Sequence, residues 1–260
     1  MKTIIRTVIA GGVIAAIGVI VLLIGLSING WRLENVKFTM QTFTAENENT
    51  AISIQLDTGS LKTEFYDGDR IIIEYPTAKR YSASLTESEG KVTFHGAHRS
   101  GWVQFGTVNV PETTVRLPKD VVFDVVMELN AGSANLCGGQ FGDVSLKLDA
   151  GAISCEEIVC KTLTCKLNAG ALKIASAECE TFECKMNAGV LSTEKLTCPT
   201  AALKINAGAA KLGFTGAQEE YNILTDINAG ACNVASQIGT SEKTINLKQN
   251  AGSTKLTFEV

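Results

Sequence analysis

The sequence predicts an all-β protein: a parallel β-solenoid with β-helix-like coils of about 19–22 residues, preceded by one transmembrane helix. Three observations predict it. The tripeptide Asn130-Ala131-Gly132 returns with its first residue at Asp149, Asn168, Asn187, Asn206, Asn228 and Asn250, at spacings of 19, 19, 19, 19, 22 and 22. Apolar residues recur two positions apart on either side of each tripeptide, which is the alternation of a strand. An uncharged apolar run over residues 7–28 precedes all of this.

Residues 1–6 form a short tail carrying Lys2 and Arg6, expected on the cytoplasmic side. The run 7–28 is long enough for a bilayer core of about 30 Å, whereas the apolar core of a cleaved signal peptide is usually only about 7–15 residues. It reads as an uncleaved signal anchor. Lys and Arg counts nearly tie across it, so the expected orientation rests on the short tail and the large domain behind it. The carboxyl-terminal domain is then extracellular on a single-pass cell-membrane protein. Gly11, Ala15 and Gly18 lie at a spacing that also suits helix pairing.

Residues 29–40 read as a linker and 41–129 as an irregular β cap with the first coils. Leu56-Asp57-Thr58-Gly59-Ser60-Leu61-Lys62 parallels Leu129-Asn130-Ala131-Gly132-Ser133-Ala134-Asn135, so coiling is expected to begin before the regular repeats. Glu87-Ser88-Glu89-Gly90 is a hairpin turn between alternating stretches. Terminal coils of a solenoid depart from the repeat because they shield an open end.

The regular solenoid repeats occupy 130–260. The residue before the tripeptide is Leu129, Leu148, Leu167, Met186, Ile205 or Ile227, and the fourth after its first residue is Ala134, Ile153, Leu172, Leu191, Ala210, Cys232 or Thr254. Stacking places like residues about 4.8 Å apart. Gly then serves the corner, and the ladder Asn130, Asp149, Asn168, Asn187, Asn206, Asn228, Asn250 joins neighbouring coils through its amides, with Asp149 as a break.

The span, the Leu56–Lys62 stretch, the Tyr66-Asp67-Gly68-Asp69 turn and the repeated corners together resemble the bacterial family labelled "putative adhesin". This is a β-strand-repeat domain of unknown function, related to Lia-type envelope-stress proteins. The resemblance covers roughly residues 35–260. It implies the solenoid fold and an envelope location, and it brings no catalytic motif and no cofactor.

A second column, Lys147, Lys166, Lys185, Lys204 and Lys248, lies between inward columns and so points outward, interrupted by Asp226. Two readings stand: a solvated face that resists sheet association, or a stripe that docks an anionic polymer. Seven of the eight cysteines are accounted for by columns: Cys160, Cys179 and Cys198 share one, Cys165 and Cys184 another, and Cys155 and Cys232 sit in apolar columns. Cys137 lies one residue past such a column. Buried thiols, disulfides between coils and a metal site are the three readings, and the spacings lack the paired pattern of a zinc site.

Enzyme chemistry finds no support. His95 and His98 are the only histidines and read as an exposed loop pair without a third metal ligand. No nucleophile triad, phosphate loop or paired-carboxylate motif occurs. A net charge of -4 argues against nucleic acid. The expected protein is non-catalytic and needs no cofactor or metal. It is a membrane-anchored envelope surface or scaffold module that meets a wall polymer or a membrane protein. A regulator docking on an envelope-stress sensor is the alternative, and a carbohydrate-active enzyme the remote one.

Overall fold

The computed structural model describes residues 36–45, 48–99 and 110–259. The expected span 7–28 lies outside them, and among the described residues no helix is long and apolar enough to cross a membrane. Thr39–His98 and Val110–Val260 form one compact unit.

That unit is all-β. Its amino-terminal strands are β1 (Thr39–Thr44), β2 (Ala51–Leu56), β3 (Ser60–Tyr66), β4 (Ile72–Thr77), β5 (Tyr81–Ser88), β6 (Lys91–His98) and β7 (Thr113–Pro118). The repeats follow as β8 (Phe123–Leu129), β9 (Gly132–Leu136), β10 (Gly139–Leu148), β11 (Gly151–Leu167) and β12 (Ala171–Met186). Next come β13 (Val190–Thr197), β14 (Thr200–Ile205) and β15 (Ala209–Thr215). The carboxyl end holds β16 (Tyr221–Ile227), β17 (Ala231–Cys232), β18 (Lys243–Gln249) and β19 (Ser253–Glu259).

From β8 to β13 each strand pairs in parallel with the strand 19 residues on. Leu146 faces Cys165, Cys165 faces Cys184, and Cys184 faces Leu203. Alternate residues on these strands are buried, so inward columns of Leu, Ile, Val, Phe and Cys make a continuous core. At the corners the backbone stays bonded across turns: Asn168 N–H donates to Leu148 O and Asn187 N–H to Leu167 O, both at 2.8 Å. Gly170 adopts φ +125°, and a Cβ there would collide with the carbonyl oxygen of Gly151, so both backbone shape and close stacking require glycine.

The order of turns along the stack departs from the order in the chain at both ends. β18 lies between β14 and β16: Leu203 faces Leu247, and Leu247 faces Thr225. On the opposite side of the turn β19 likewise separates β15 from β17. The last turn of the chain is therefore inserted beneath the one that precedes it. At the other end β2 lies between β6 and β8, and β3 between β7 and β9. There the turn built from β6 and β7 sits outside the earlier turn built from β2 and β3.

Added segments cover both ends in part. β5 and β6 form an antiparallel hairpin through Glu89 (φ 52°) and Gly90 (φ 74°), two positive φ values in succession as the tight hairpin turn requires. β4 adds antiparallel to β7 and carries β1. At the carboxyl end Ile223 and Gln237 exchange backbone hydrogen bonds of 2.9 Å, covering part of the outer edge of β16. Phe214, Tyr221 and Phe258 pack there with ring centroids 5.5–5.8 Å apart, and Tyr221 Oη donates to Thr215 O at 2.7 Å.

Candidate functional site

The inserted turn changes the outward lysine column. Lys147 faces Lys166, then Lys185, Lys204 and Lys248 follow in direct register, and Asp226 comes after Lys248. Asp226 thus ends the row where the sequence order had placed it as an interruption. Glu128 ends it on the other side, facing Lys147 and pairing with it at 3.4 Å. Lys166, Lys185, Lys204 and Lys248 are exposed and make no ion pair among the described residues. Five lysines in four steps of strand spacing span roughly 19 Å.

A ladder of corner side chains runs beside this row. Asn168 Nδ2 donates to Asp149 Oδ1 at 2.6 Å, Asn187 to Asn168 at 2.8 Å and Asn206 to Asn187 at 2.7 Å. Asn250 then donates to Asn206 at 2.9 Å and Asn228 to Asn250 at 2.8 Å, following the stack and not the chain. Asp149 is no break on this side, since a carboxylate accepts. Toward Asn130 it has no hydrogen to give, so that step is missing, while on its other side Asn130 Nδ2 continues the ladder by donating to Asp57 Oδ1 at 2.9 Å. Asp57 thus stands at the position that its likeness to Asn130 had marked.

Two grooves flank the lysines. One, of about 260 Å³, lies between Lys166, Lys185 and Lys204 and the asparagines Asn168, Asn187 and Asn206. The other, of about 170 Å³, lies on the far side, where Ala202 sits between Glu183 and Asn246. The row therefore stands as a ridge of cations with a polar amide wall on one side. The first groove has no acidic side chain among its lining residues, and the second sets Glu183 among Lys185, Lys204 and Lys248.

The profile of a family described as Toastrack DUF4097 matches residues 49–259. The chain belongs to that family. The resemblance read from its corners and turns therefore holds. Crystal structures similar to this Toastrack DUF4097 chain include a "putative cell adhesion protein" from Clostridium sporogenes, with 12% identity over 86% of this chain and 100% of that one, at a TM-score of 0.39. A "putative adhesin" from Bacteroides fragilis has 11% identity over 85% and 97% of the two chains, at 0.46. Another from Parabacteroides distasonis has 12% identity over 87% and 98%, at 0.38. Among curated proteins no relative matches.

In this Toastrack DUF4097 chain all eight cysteines are free thiols. Cys160 faces Cys179 and Cys165 faces Cys184, and burial pushes the Cys155 and Cys184 thiols up to about 12. Such thiols are protonated and unreactive at neutral pH. His95 and His98 lie on β6, not in an exposed loop, because the hairpin continues to the end of that strand. His95 Nε2 is 3.5 Å from Asp57 Oδ1, and the His98 backbone N–H donates to Asp57 Oδ2 at 3.0 Å. No group of three metal-ligating side chains occurs among the described residues.

The sequence reading missed one buried polar pair. Gln249 occupies the column that otherwise holds Leu, Met or Ile before the corner and is 1% exposed. Thr254 Oγ1 donates to its Oε1 at 2.6 Å, and its Nε2 reaches Gly252 O at 3.1 Å and the carbonyls of Ala229 and Ala231 at 3.4 Å. Those carbonyls belong to the outermost turn. The polar residue in an apolar column was the signal available.

Proposed function

We propose that this protein is a non-catalytic envelope surface module, held by a single membrane span at 7–28, whose stacked turns form a parallel β-solenoid outside the cell. The lysine row is its docking face for an anionic wall polymer. One observation carries this reading. Insertion of the last turn makes the five lysines consecutive, and four of them lack an ion-pair partner among the described residues. Stacked like charges repel by about 1 kcal/mol per pair in water at this spacing, a bearable cost that a polyanion would relieve. A row kept only for solubility has no need to be continuous, and interspersed charge serves that purpose as well.

The test is binding of the full-length chain, in detergent, to isolated anionic wall polymer at low and high salt. A variant with Lys166, Lys185 and Lys204 changed to Ser serves beside it. Salt-sensitive binding lost in the variant is the expected result. Equal binding by both proteins would refute the docking role.

A further inference from the structure

We infer that the groove between the lysines and the asparagine ladder fits a linear anionic glycan whose sugars carry carboxylates, a polyuronate. This rests on the reading of the lysine row as a polymer-docking face and names the polymer's chemistry.

The first argument is hydrogen-bonding capacity. Each ladder amide has two N–H hydrogens and two oxygen lone pairs. The bond from Asn187 to Asn168 and the bond from Asn206 to Asn187 use one hydrogen and one lone pair each, at 2.8 and 2.7 Å. What remains on each amide is one donor and one acceptor, repeated at strand spacing along the groove wall. A sugar hydroxyl donates and accepts together, so it satisfies both. Polyphosphate offers acceptors alone, and against this wall it leaves the amide oxygens facing other acceptors.

The second argument is spacing. Cations recur about every 4.8 Å along the row. A pyranose ring with its glycosidic oxygen advances by a similar length and brings one carboxylate with it. Polyphosphate sets its charges closer together, and a glycerol-phosphate chain sets them farther apart. The stiff sugar chain also has less conformational freedom to lose on binding than a flexible phosphodiester.

The third is shape. The groove follows the stack past Lys166, Lys185 and Lys204, a run of roughly 10 Å that takes an extended, unbranched chain. The row is one lysine wide and is closed by Glu128 and Asp226. A bilayer surface would call for a broader cationic patch and would make no use of the amide wall.

The experiment uses the full-length chain in detergent and compares four probes: polygalacturonate, inorganic polyphosphate and a glycerol-phosphate polymer at equal charge concentration, and the methyl ester of polygalacturonate at equal sugar concentration. Phosphatidylglycerol vesicles form a fifth arm. Two or so additional hydrogen bonds predict that polygalacturonate binds about tenfold tighter than polyphosphate. Closer charge spacing with a stiffer chain predicts that it also binds tighter than the glycerol-phosphate polymer. The methyl ester, which keeps the hydroxyls and loses the charge, is expected to bind far more weakly. Lys185→Ser with Lys204→Ser should remove most of the polygalacturonate affinity, with thermal melts confirming that the variant folds.

Equal or tighter binding of a phosphate polymer, lost in that variant, would overturn the glycan assignment and leave the docking face standing. Binding to vesicles alone, or to no probe, would overturn both.

Discussion

Gly170→Ala and Gly59→Ala separate backbone strain from stacking. Both glycines hold nearly the same conformation, φ +125° and +117°. Placing a side chain there costs about 1–3 kcal/mol at either site. A Cβ at Gly170 also strikes the Gly151 carbonyl, whereas at Gly59 it meets, among the described residues, only Val110 Cγ1 at 3.8 Å. Relieving the clash opens the corner between two turns and loses Asn168 N–H to Leu148 O (2.8 Å) and Ala169 N–H to Asp149 O (3.0 Å). At about 0.5–1.5 kcal/mol net for each hydrogen bond, the added cost is roughly 2 kcal/mol. Urea unfolding of the full-length variants by far-UV circular dichroism measures the difference. Equal destabilisation of the two would refute the claim that contact between stacked glycines sets the corner.

Two further expectations concern the core. Burial holds the Cys155 and Cys184 thiols and the Tyr75 and Tyr221 hydroxyls neutral, each pushed up to about 12. The folded state then keeps protons that the unfolded chain releases, so stability is whole below about pH 9 and declines as pH rises toward 12. A urea midpoint that stays level across that range, or a decline unchanged in Cys155→Ala/Cys184→Ala, would count against it. Thr254→Val strands the buried Gln249 Oε1 and should cost about 1–3 kcal/mol, while adding Gln249→Leu should recover much of that loss. A double variant less stable than Thr254→Val alone would show that the glutamine's bonds to the outer turn matter more than the pair.

The period of the Asn-Ala-Gly corners makes the register of stacking legible, because glycine at positive φ and an inward Leu or Ile recur at the same offset in every turn. Leu56–Lys62 was readable as an extra turn for the same reason. The order of the last two turns was not. Asn228 and Asn250 head corners of the same kind at the same spacing of 22, and a corner motif says what stacks without saying on which neighbour. In chain order Asp226 interrupts the lysines, whereas the inserted turn sets it at their end. His95 and His98 read as an exposed loop pair, although Gly96 between them sits in mid-strand, where a Cβ would crowd Leu56 and Tyr75.

The inserted carboxyl-terminal turn has a consequence for biosynthesis. A ribosome delivers residues 221–234 before residues 243–259, yet the earlier segment rests on the later one. Stacking in chain order therefore stops after β15, at a slot that β18 and β19 fill. Completion waits for residues 243–259, and a chain cut short before β18 leaves the turn of β16 without a neighbour to lie on. β18 and β19 thus act as the keystone of the stack, holding the turn made before them onto the turns made earlier still.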